Sequence, residues 1–344
     1  MKQCTNKSDN FWLIFQGLSF YIIGLFAIYS LGLSVLPAVF ASTISLRLHH
    51  KALEEGDDSK YWYFLLAMLI GCYFLGPVDD ILSGLLSLLF PLSVFSRRIA
   101  MYLFSNMHFA FYTGLYIVFE LLSREGGNVF ANIFSKNKKV NFRDFFSGYA
   151  SQIAICCLYV FGSMIYMTVP LYTFLIVVPL TMAITGIQAL FEELTCRMAP
   201  LKYFTYCADV LHANKNYCIM GFMIVSSIFF GLMHTQYVQQ GLFSSSFLSV
   251  CIGGLLYGLI SYNSSGIEFS TGVHTAWNSF LYMFNDNSLF PMQICRFNGI
   301  NRLCIESAVA ANFFLPRYKQ SSKDKSEEKD IPLAAKHNAA VTPQ

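Results

Sequence analysis

Long apolar runs, separated by short polar segments, occupy most of the chain between residues 11 and 284. Because a membrane-spanning helix needs about 20 mostly apolar residues, we interpret these runs as transmembrane helices. The predicted spans are 17–46, 61–75, 99–122, 148–167, 169–190, 218–234, 242–262 and 271–284. The pattern therefore predicts an all-α, polytopic helical membrane protein with about eight transmembrane helices.

One apolar run, 81–95, departs from this pattern. It is short, contains Pro91 and is followed by Arg97 and Arg98. Apolar runs shorter than a full span are often interfacial or re-entrant segments, so we expect such a helix here rather than a further span.

The composition agrees with a membrane location. Hydrophobic residues make up 55% of the chain and charged residues only 12%, whereas soluble domains usually carry about 25% charged residues. The formal net charge of +3 is small, and the sequence has no basic stripe interleaved with aromatic residues. These features argue against a nucleic-acid partner and predict the lipid bilayer as the surroundings of the protein.

Four regions can be distinguished along the chain. Residues 1–168 form an N-terminal transmembrane region without a recognised motif, and residues 169–288 contain the candidate chemistry. Residues 289–316 are predicted to be a polar or interfacial segment. From residue 317 onward, charges of both signs alternate without an apolar face, so we expect 317–344 to be a disordered tail.

Several of the later apolar helices carry ionisable or amide side chains, which are costly in a membrane and are therefore candidates for function. These residues are Glu192, Glu193, Arg197, His234, His274 and Asn278. Glu193 and Arg197 are four residues apart, so on a helix they share a face and can pair. Glu192 is rotated from that face by about 100°. A carboxylate made more basic by burial is suited to act as the general base that activates water.

His274 and Asn278 are also four residues apart, so their side chains project from one helix face. Two hydrogen-bond donors held side by side could stabilise the oxyanion that forms when a carbonyl is attacked. His234, on a different helix, could complete such a site from the other side. Taken singly, these groups could be structural, as a helix-end salt bridge or as hydrogen bonds between helices. Their conjunction on successive helices favours an active site.

The motifs Glu-Glu-x-x-x-Arg at 192–197, Phe-x-x-x-His at 230–234 and His-x-x-x-Asn at 274–278 resemble the three motifs of the CPBP family. This family comprises the CAAX-protease and bacteriocin-processing intramembrane peptidases, also described as type II CAAX prenyl endopeptidase-like or Abi proteins. The resemblance extends over residues 169–284. It implies an intramembrane endopeptidase with a catalytic cavity between the later helices.

The resemblance also implies a role for each residue of these motifs. Glu192 would activate water, His234 would orient it, and His274 with Asn278 would form an oxyanion hole. In this mechanism water is the nucleophile and no covalent intermediate forms.

Glu193 and Arg197 would support the site by the same resemblance, but two positions beside them depart from the family pattern. Cys196 stands where the family often has an aromatic residue, and Met198 stands where it often has glycine. These departures leave open a catalytically inactive membrane scaffold or immunity factor of the same fold. A small-solute transporter fits less well, because it would place buried ionisable groups in both halves of the chain.

Two mechanisms remain open for the protease. His234, His274 and Glu192 could be the three protein ligands of a catalytic zinc, which is the metalloprotease interpretation often given to this family. Alternatively, no metal is needed, and Glu192 takes the proton from water while His274 and Asn278 hold the oxyanion. Asn278 is a poor zinc ligand and lies where an oxyanion donor is wanted, so we favour the metal-free mechanism.

The family resemblance implies a membrane-anchored peptide as the substrate. This could be a C-terminal CAAX-type prenylated peptide or, in bacteria, a substrate of bacteriocin processing and self-immunity. The lead-in Gly266-Ile267-Glu268 before His274 is similar to the bacterial branch. We therefore favour a bacterial inner membrane, with the endoplasmic reticulum as the alternative.

Overall fold

The computed structural model describes residues 7–57, 59–88, 94–122, 140–162, 171–264 and 266–284, together with residues 308, 310 and 313. Within these residues the chain is almost entirely helical, which confirms the all-α prediction. The helices are α1 (Lys7–Leu31), α2 (Val35–Glu54), α3 (Tyr61–Leu88), α4 (Val94–Leu122), α5 (Phe142–Gly162), α6 (Leu171–Glu193), α7 (Ala199–Val210), α8 (Lys215–Met233), α9 (Thr235–Val238), α10 (Ser245–Asn263) and α11 (Glu268–Phe284). A π-helical turn, Leu194–Met198, joins α6 to α7. The predicted tail 317–344 and nearly all of the predicted segment 289–316 lie outside the described residues.

Four of the described helices contain stretches that are long and apolar enough to cross a membrane. These stretches are Trp12–Leu31, Tyr61–Val78, Lys215–Met233 and Ser245–Asn263. A shorter apolar stretch, Met107–Leu122, lies in α4. The described residues thus support a membrane protein, while the expected number of about eight spans is not confirmed.

The predicted span 17–46 is wrong as a single helix, because the chain breaks between α1 and α2. Gly32 has a backbone φ of +67°, a left-handed conformation that glycine adopts without a steric penalty and that commonly ends helices. The N–H of Leu33 donates to the carbonyl of Ala27 at 3.2 Å, which closes the end of α1. Hydropathy did not reveal this break because the residues at the turn are themselves largely apolar.

The predicted separate helix at 81–95 is also wrong. Helix α3 continues through Pro77 to Leu88, and α4 begins at Val94, so residues 81–88 and 94–95 of the apolar run belong to two different long helices. Residues 89–93 lie outside the described residues. Proline inside a helix removes one backbone hydrogen bond but does not prevent its continuation in a membrane, where other groups satisfy the freed carbonyl.

The site-bearing helix α11 packs against α5 and α6, and α10 packs against α8. Between α5 and α11 the two backbones are in direct contact. A Cβ atom added to Gly272 would lie 2.0 Å from the carbonyl oxygen of Phe145, and one added to Gly148 would lie 2.3 Å from that of Phe269. Small residues permit such an approach between membrane helices, so this pair of glycines sets how closely α11 is held.

A buried ion pair links α2 to α4 in the N-terminal region. The Nε atom of Arg47 lies 2.8 Å from Oε1 of Glu120, whose side chain is 2% exposed. The hydroxyl group of Tyr116 donates to the same carboxylate oxygen at 3.2 Å. These contacts compensate a charge that would otherwise be costly among apolar helices. Buried ionisable groups therefore occur in both halves of the chain, so their expected restriction to the second half, which was used against a transporter, is wrong.

Candidate active site

His274 lies between two adjacent carboxylates. Its Nδ1 atom is 3.1 Å from Oε1 of Glu193, and its Nε2 atom is 3.3 Å from Oε2 of Glu192. All three residues are buried. Because the two glutamates are neighbours on one helix, their side chains leave it about 100° apart. The helix geometry therefore lets each carboxylate approach a different nitrogen of the same imidazole.

Arg197 completes the ionic group on the Glu193 side. Its Nη1 atom is 3.4 Å from Oε1 of Glu193, and both side chains are almost fully buried, which confirms the pairing that their spacing predicts. The pair is not at a helix end, because α6 continues through the π-helical turn into α7. The guanidinium carbon also lies 4.0 Å from the ring centroid of Phe230, a cation–π contact that helps to compensate its burial.

Glu192 has a different hydrogen-bonding environment at each oxygen. Oε1 accepts a hydrogen bond from Nε2 of Gln188 at 3.0 Å, and Gln188 in turn accepts one from the hydroxyl group of Tyr282 at 3.3 Å. Oε2 is within ion-pair distance of His274, but it makes no hydrogen bond of acceptable geometry in the part of the chain that is described. This oxygen is therefore buried, held beside an imidazole and able to accept a further donor such as water.

His234 lies at the end of α8, where the chain turns into the short helix α9. Its Nδ1 atom is 2.8 Å from the carbonyl oxygen of Phe230. A carbonyl only accepts, so Nδ1 carries the proton, and in the neutral ring Nε2 is the basic nitrogen. The ring of Phe230 stands edge-on to both histidines, at 4.7 Å from His234 and 5.9 Å from His274. The structure thus places His234 and His274 against the same aromatic ring, that of Phe230.

Asn278 lies one helical turn after His274 on α11. Its Nδ2 atom is buried and finds no hydrogen-bond partner among the described residues. Leaving a buried donor unpaired costs about 1–3 kcal/mol. A donor held in this state is suited to bind an oxygen whose negative charge appears only during a reaction.

Residues 172–280 match the model of the family described as type II CAAX prenyl endopeptidase Rce1-like. We refer to this segment, which is similar to that family over about a third of the chain, as the Rce1-like domain. It contains every candidate site residue and lies within the predicted region 169–288. Comparison of the chain with curated proteins and with solved structures finds no match. The family indicates CAAX-type intramembrane endopeptidase activity and, together with the four apolar helices, an integral membrane protein.

Three residues of the Rce1-like domain contact the site but were not singled out from the sequence. Ser270 donates to Oε2 of Glu193 at 2.9 Å, Gln188 donates to Glu192, and the ring of Tyr257 stacks on His274 with centroids 5.0 Å apart. Ser270 precedes His274 by four residues, and Gln188 precedes Glu192 by four. The helical i, i+4 rule could therefore have found both, whereas Tyr257 lies on another helix and left no local signal.

The two departures from the family pattern lie in the packed interior. Cys196 is 1% exposed and Met198 is 3% exposed, and both belong to the main hydrophobic core. The Sγ atom of Cys196 is 3.9 Å from the sulfur atom of Met233. Both side chains therefore act in the packing of the π-helical turn.

A catalytic zinc would need three ligands from the predicted set Glu192, His234 and His274. Among the described residues, no three His, Cys, Asp or Glu side chains are grouped as metal ligands. Nδ1 of His274 faces Glu193 and Nδ1 of His234 is bonded to a backbone carbonyl, contacts that metal-binding histidines also make. Among the described residues, however, the three side chains are not gathered as one ligand set, so no reaction step is assigned to a metal.

Proposed function

We propose that the protein is an intramembrane endopeptidase that hydrolyses a membrane-anchored peptide with water activated by Glu192. One observation supports this most strongly: a buried imidazole, His274, lies between Glu192 and Glu193, with an unpaired donor on Asn278 one turn away. This arrangement places a base beside two candidate donors for an oxyanion.

In the proposed reaction, Oε2 of Glu192 takes a proton from water as the oxygen atom attacks the scissile carbonyl. The attack forms a tetrahedral intermediate whose negative oxygen accepts hydrogen bonds from Nδ2 of Asn278 and from an Nε2–H of His274. Glu192 then returns the proton to the nitrogen of the leaving amine as the C–N bond breaks. The products are a carboxylic acid and an amine, which become a carboxylate and an ammonium group when the acid gives up its remaining water-derived proton to the amine, and no covalent enzyme intermediate is needed.

The role of His274 depends on which protons its ring carries. Glu193, as a carboxylate, only accepts hydrogen bonds, so its 3.1 Å contact requires a proton on Nδ1. For Nε2 also to donate, the ring must be an imidazolium. Adjacent carboxylates on both sides stabilise that charge, and Arg197 balances the second negative charge from the other side of Glu193.

We assign to His234 the role of orienting the attacking water. Its bond to the Phe230 carbonyl holds the ring with Nε2 as the basic nitrogen, and a basic nitrogen can accept one hydrogen of water while Glu192 accepts the other. This leaves a water lone pair to attack the carbonyl carbon.

The match to an Rce1-like family supports a CAAX-type prenylated peptide over a bacteriocin as the substrate class. Prenylated substrates are not expected in bacteria, so this choice also favours the endoplasmic reticulum, which was the alternative location, over a bacterial inner membrane. The scaffold alternative rested on Cys196 and Met198, and their place in the core gives it no support.

The test is proteolysis by purified protein on a library of membrane-anchored peptides with and without a C-terminal prenyl group. In the variant Glu192→Gln, turnover should fall by at least about 100-fold, since the proton acceptor is lost while the shape is kept. Glu120→Gln is the matched control, because it neutralises another buried glutamate outside the site. We expect that control to lose stability but to keep its turnover per folded molecule. A folded Glu192→Gln protein with wild-type proteolysis would overturn the proposal.

A further inference from the structure

Two buried serines continue the hydrogen-bonding network behind Glu193. Ser270 donates to Oε2 of Glu193 at 2.9 Å, and its hydroxyl lies 2.7 Å from that of Ser261 on α10. Ser270 and Ser261 are 0% and 1% exposed. The carboxylate that holds His274 is therefore itself held by a neighbouring helix.

The direction of these hydrogen bonds follows from counting protons. A serine hydroxyl has one hydrogen to donate, and ionised Glu193 can only accept. If Ser270 donates to Glu193, then the hydrogen between the two serines must come from Ser261. Ser270 also lies 3.0 Å from the carbonyl of Ile267, which is the bond it would make instead if Glu193 were not there.

Arg197 and Ser261 meet at a small pocket beside this network. Cys196, Arg197, Ser226, Gly254, Gly258 and Ser261 are among the residues that line it, and it has room for about one water molecule. The Nη2 atom of Arg197 is buried and has no hydrogen-bond partner among the described residues. A Cβ atom added to Gly254 would lie 3.2 Å from Nη2, so this nitrogen faces the pocket.

We propose that this pocket binds one water molecule, which accepts from Nη2 of Arg197 and is hydrogen-bonded to Ser261. Together with Ser270, this water closes a ring of hydrogen bonds around Glu193. Ser261 and Ser270 are therefore positioning residues for His274. The ring fixes Glu193 so that it holds the Nδ1–H of His274 and aims Nε2 at the reacting atoms. This inference rests on the proposed protease function.

Removal of the Ser270 hydroxyl tests the positioning role. In Ser270→Ala, we expect kcat to fall by about 10-fold or more with a nearly unchanged KM. Removing a residue that is hydrogen-bonded to a metal ligand has an effect of this size at metal sites. The acidic limb of the pH–rate profile should move to higher pH, because ionised Glu193 has lost one donor while Arg197 and His274 still face it. Thr271→Val is the matched control: it removes the hydroxyl of the next residue, which donates to the carbonyl of Ile267.

Two substitutions of Gly254 test whether the pocket binds a water molecule. Gly254→Ala and Gly254→Ser introduce the same Cβ atom, which would also meet Phe230 at 3.1 Å, but only serine brings a hydroxyl that can replace the water at Nη2. We expect Gly254→Ser to keep a several-fold higher kcat than Gly254→Ala. Equal kcat values in the two folded variants would overturn the proposal that a water molecule is bound at Nη2 of Arg197.

Wild type and Glu192→Gln are measured in the same assay, with folding checked by thermal unfolding. Loss of activity in Glu192→Gln with normal kcat and pH profile in Ser270→Ala would overturn the inference alone. An inactive wild type, or an active Glu192→Gln, would overturn the proposed function and the inference with it. If Ser270→Ala does not fold, Ser261→Ala makes the same test one step further from Glu193, and an unchanged kcat there contradicts the positioning role.

Discussion

Glu193 and His274 are 81 residues apart in the chain, yet Oε1 of the carboxylate lies 3.1 Å from Nδ1 of the imidazole. The contact joins α6 to α11 inside the buried part of the Rce1-like domain. A charge-assisted hydrogen bond of this kind fixes both the orientation and the tautomer of the histidine. Glu193 is also the residue that links Arg197 and Ser270 to His274, since both contact its carboxylate.

The Glu193–Arg197 pair should show strong energetic coupling. A double-mutant cycle with Glu193→Gln and Arg197→Gln, measured by thermal unfolding in detergent, should give a coupling of about 0.5–3 kcal/mol. The exposed pair Asp209–Lys215, with atoms 3.2 Å apart, is the control, and its coupling should be close to zero because water screens it. Zero coupling for both pairs would mean that the buried contact does not contribute to stability.

Asn278→Ala should lower kcat by about 100- to 1,000-fold, the usual effect of removing one oxyanion donor. KM should change little, since the donor acts on a charge that exists only in the transition state. Asn263→Ala, which removes an exposed amide at the end of α10, is the control and should leave both constants unchanged. A normal kcat in folded Asn278→Ala would remove Asn278 from the oxyanion hole.

The Arg47–Glu120 pair should contribute to stability and not to turnover. Removing either charge alone, in Arg47→Met or Glu120→Gln, should lower the free energy of unfolding by about 3–5 kcal/mol because a buried charge loses its partner. The double variant Arg47→Met/Glu120→Met should be less destabilised than either single variant, since no charge is then buried. Single variants as stable as wild type would show that the pair is solvated in the membrane-bound protein.

The metal-free mechanism predicts that the active protein contains no catalytic zinc. We expect elemental analysis of active protein to find no stoichiometric zinc, and we expect a chelator to leave the proteolytic rate unchanged. Zinc whose removal abolishes activity and whose return restores it would contradict this prediction and support the ligand set Glu192, His234 and His274.

The family motifs could be found in the sequence because each is local. Glu193 and Arg197, like His274 and Asn278, are separated by four residues, and such a spacing places two side chains on one helix face in any environment. The same rule reaches Ser270 and Gln188. It could not say which nitrogen of His274 faces which glutamate, because that depends on the position of α11 against α6.

Hydropathy by itself determined that this chain is helical and lies in a membrane, since apolar length and missing charge are properties of composition. It did not locate the break at Gly32, where backbone conformation rather than polarity ends the helix. Only the tertiary structure decided that Arg47 meets Glu120 and that His274 lies between two carboxylates. These contacts join residues far apart in sequence, and their geometry is set by close packing of helices, for which a local pattern carries no information.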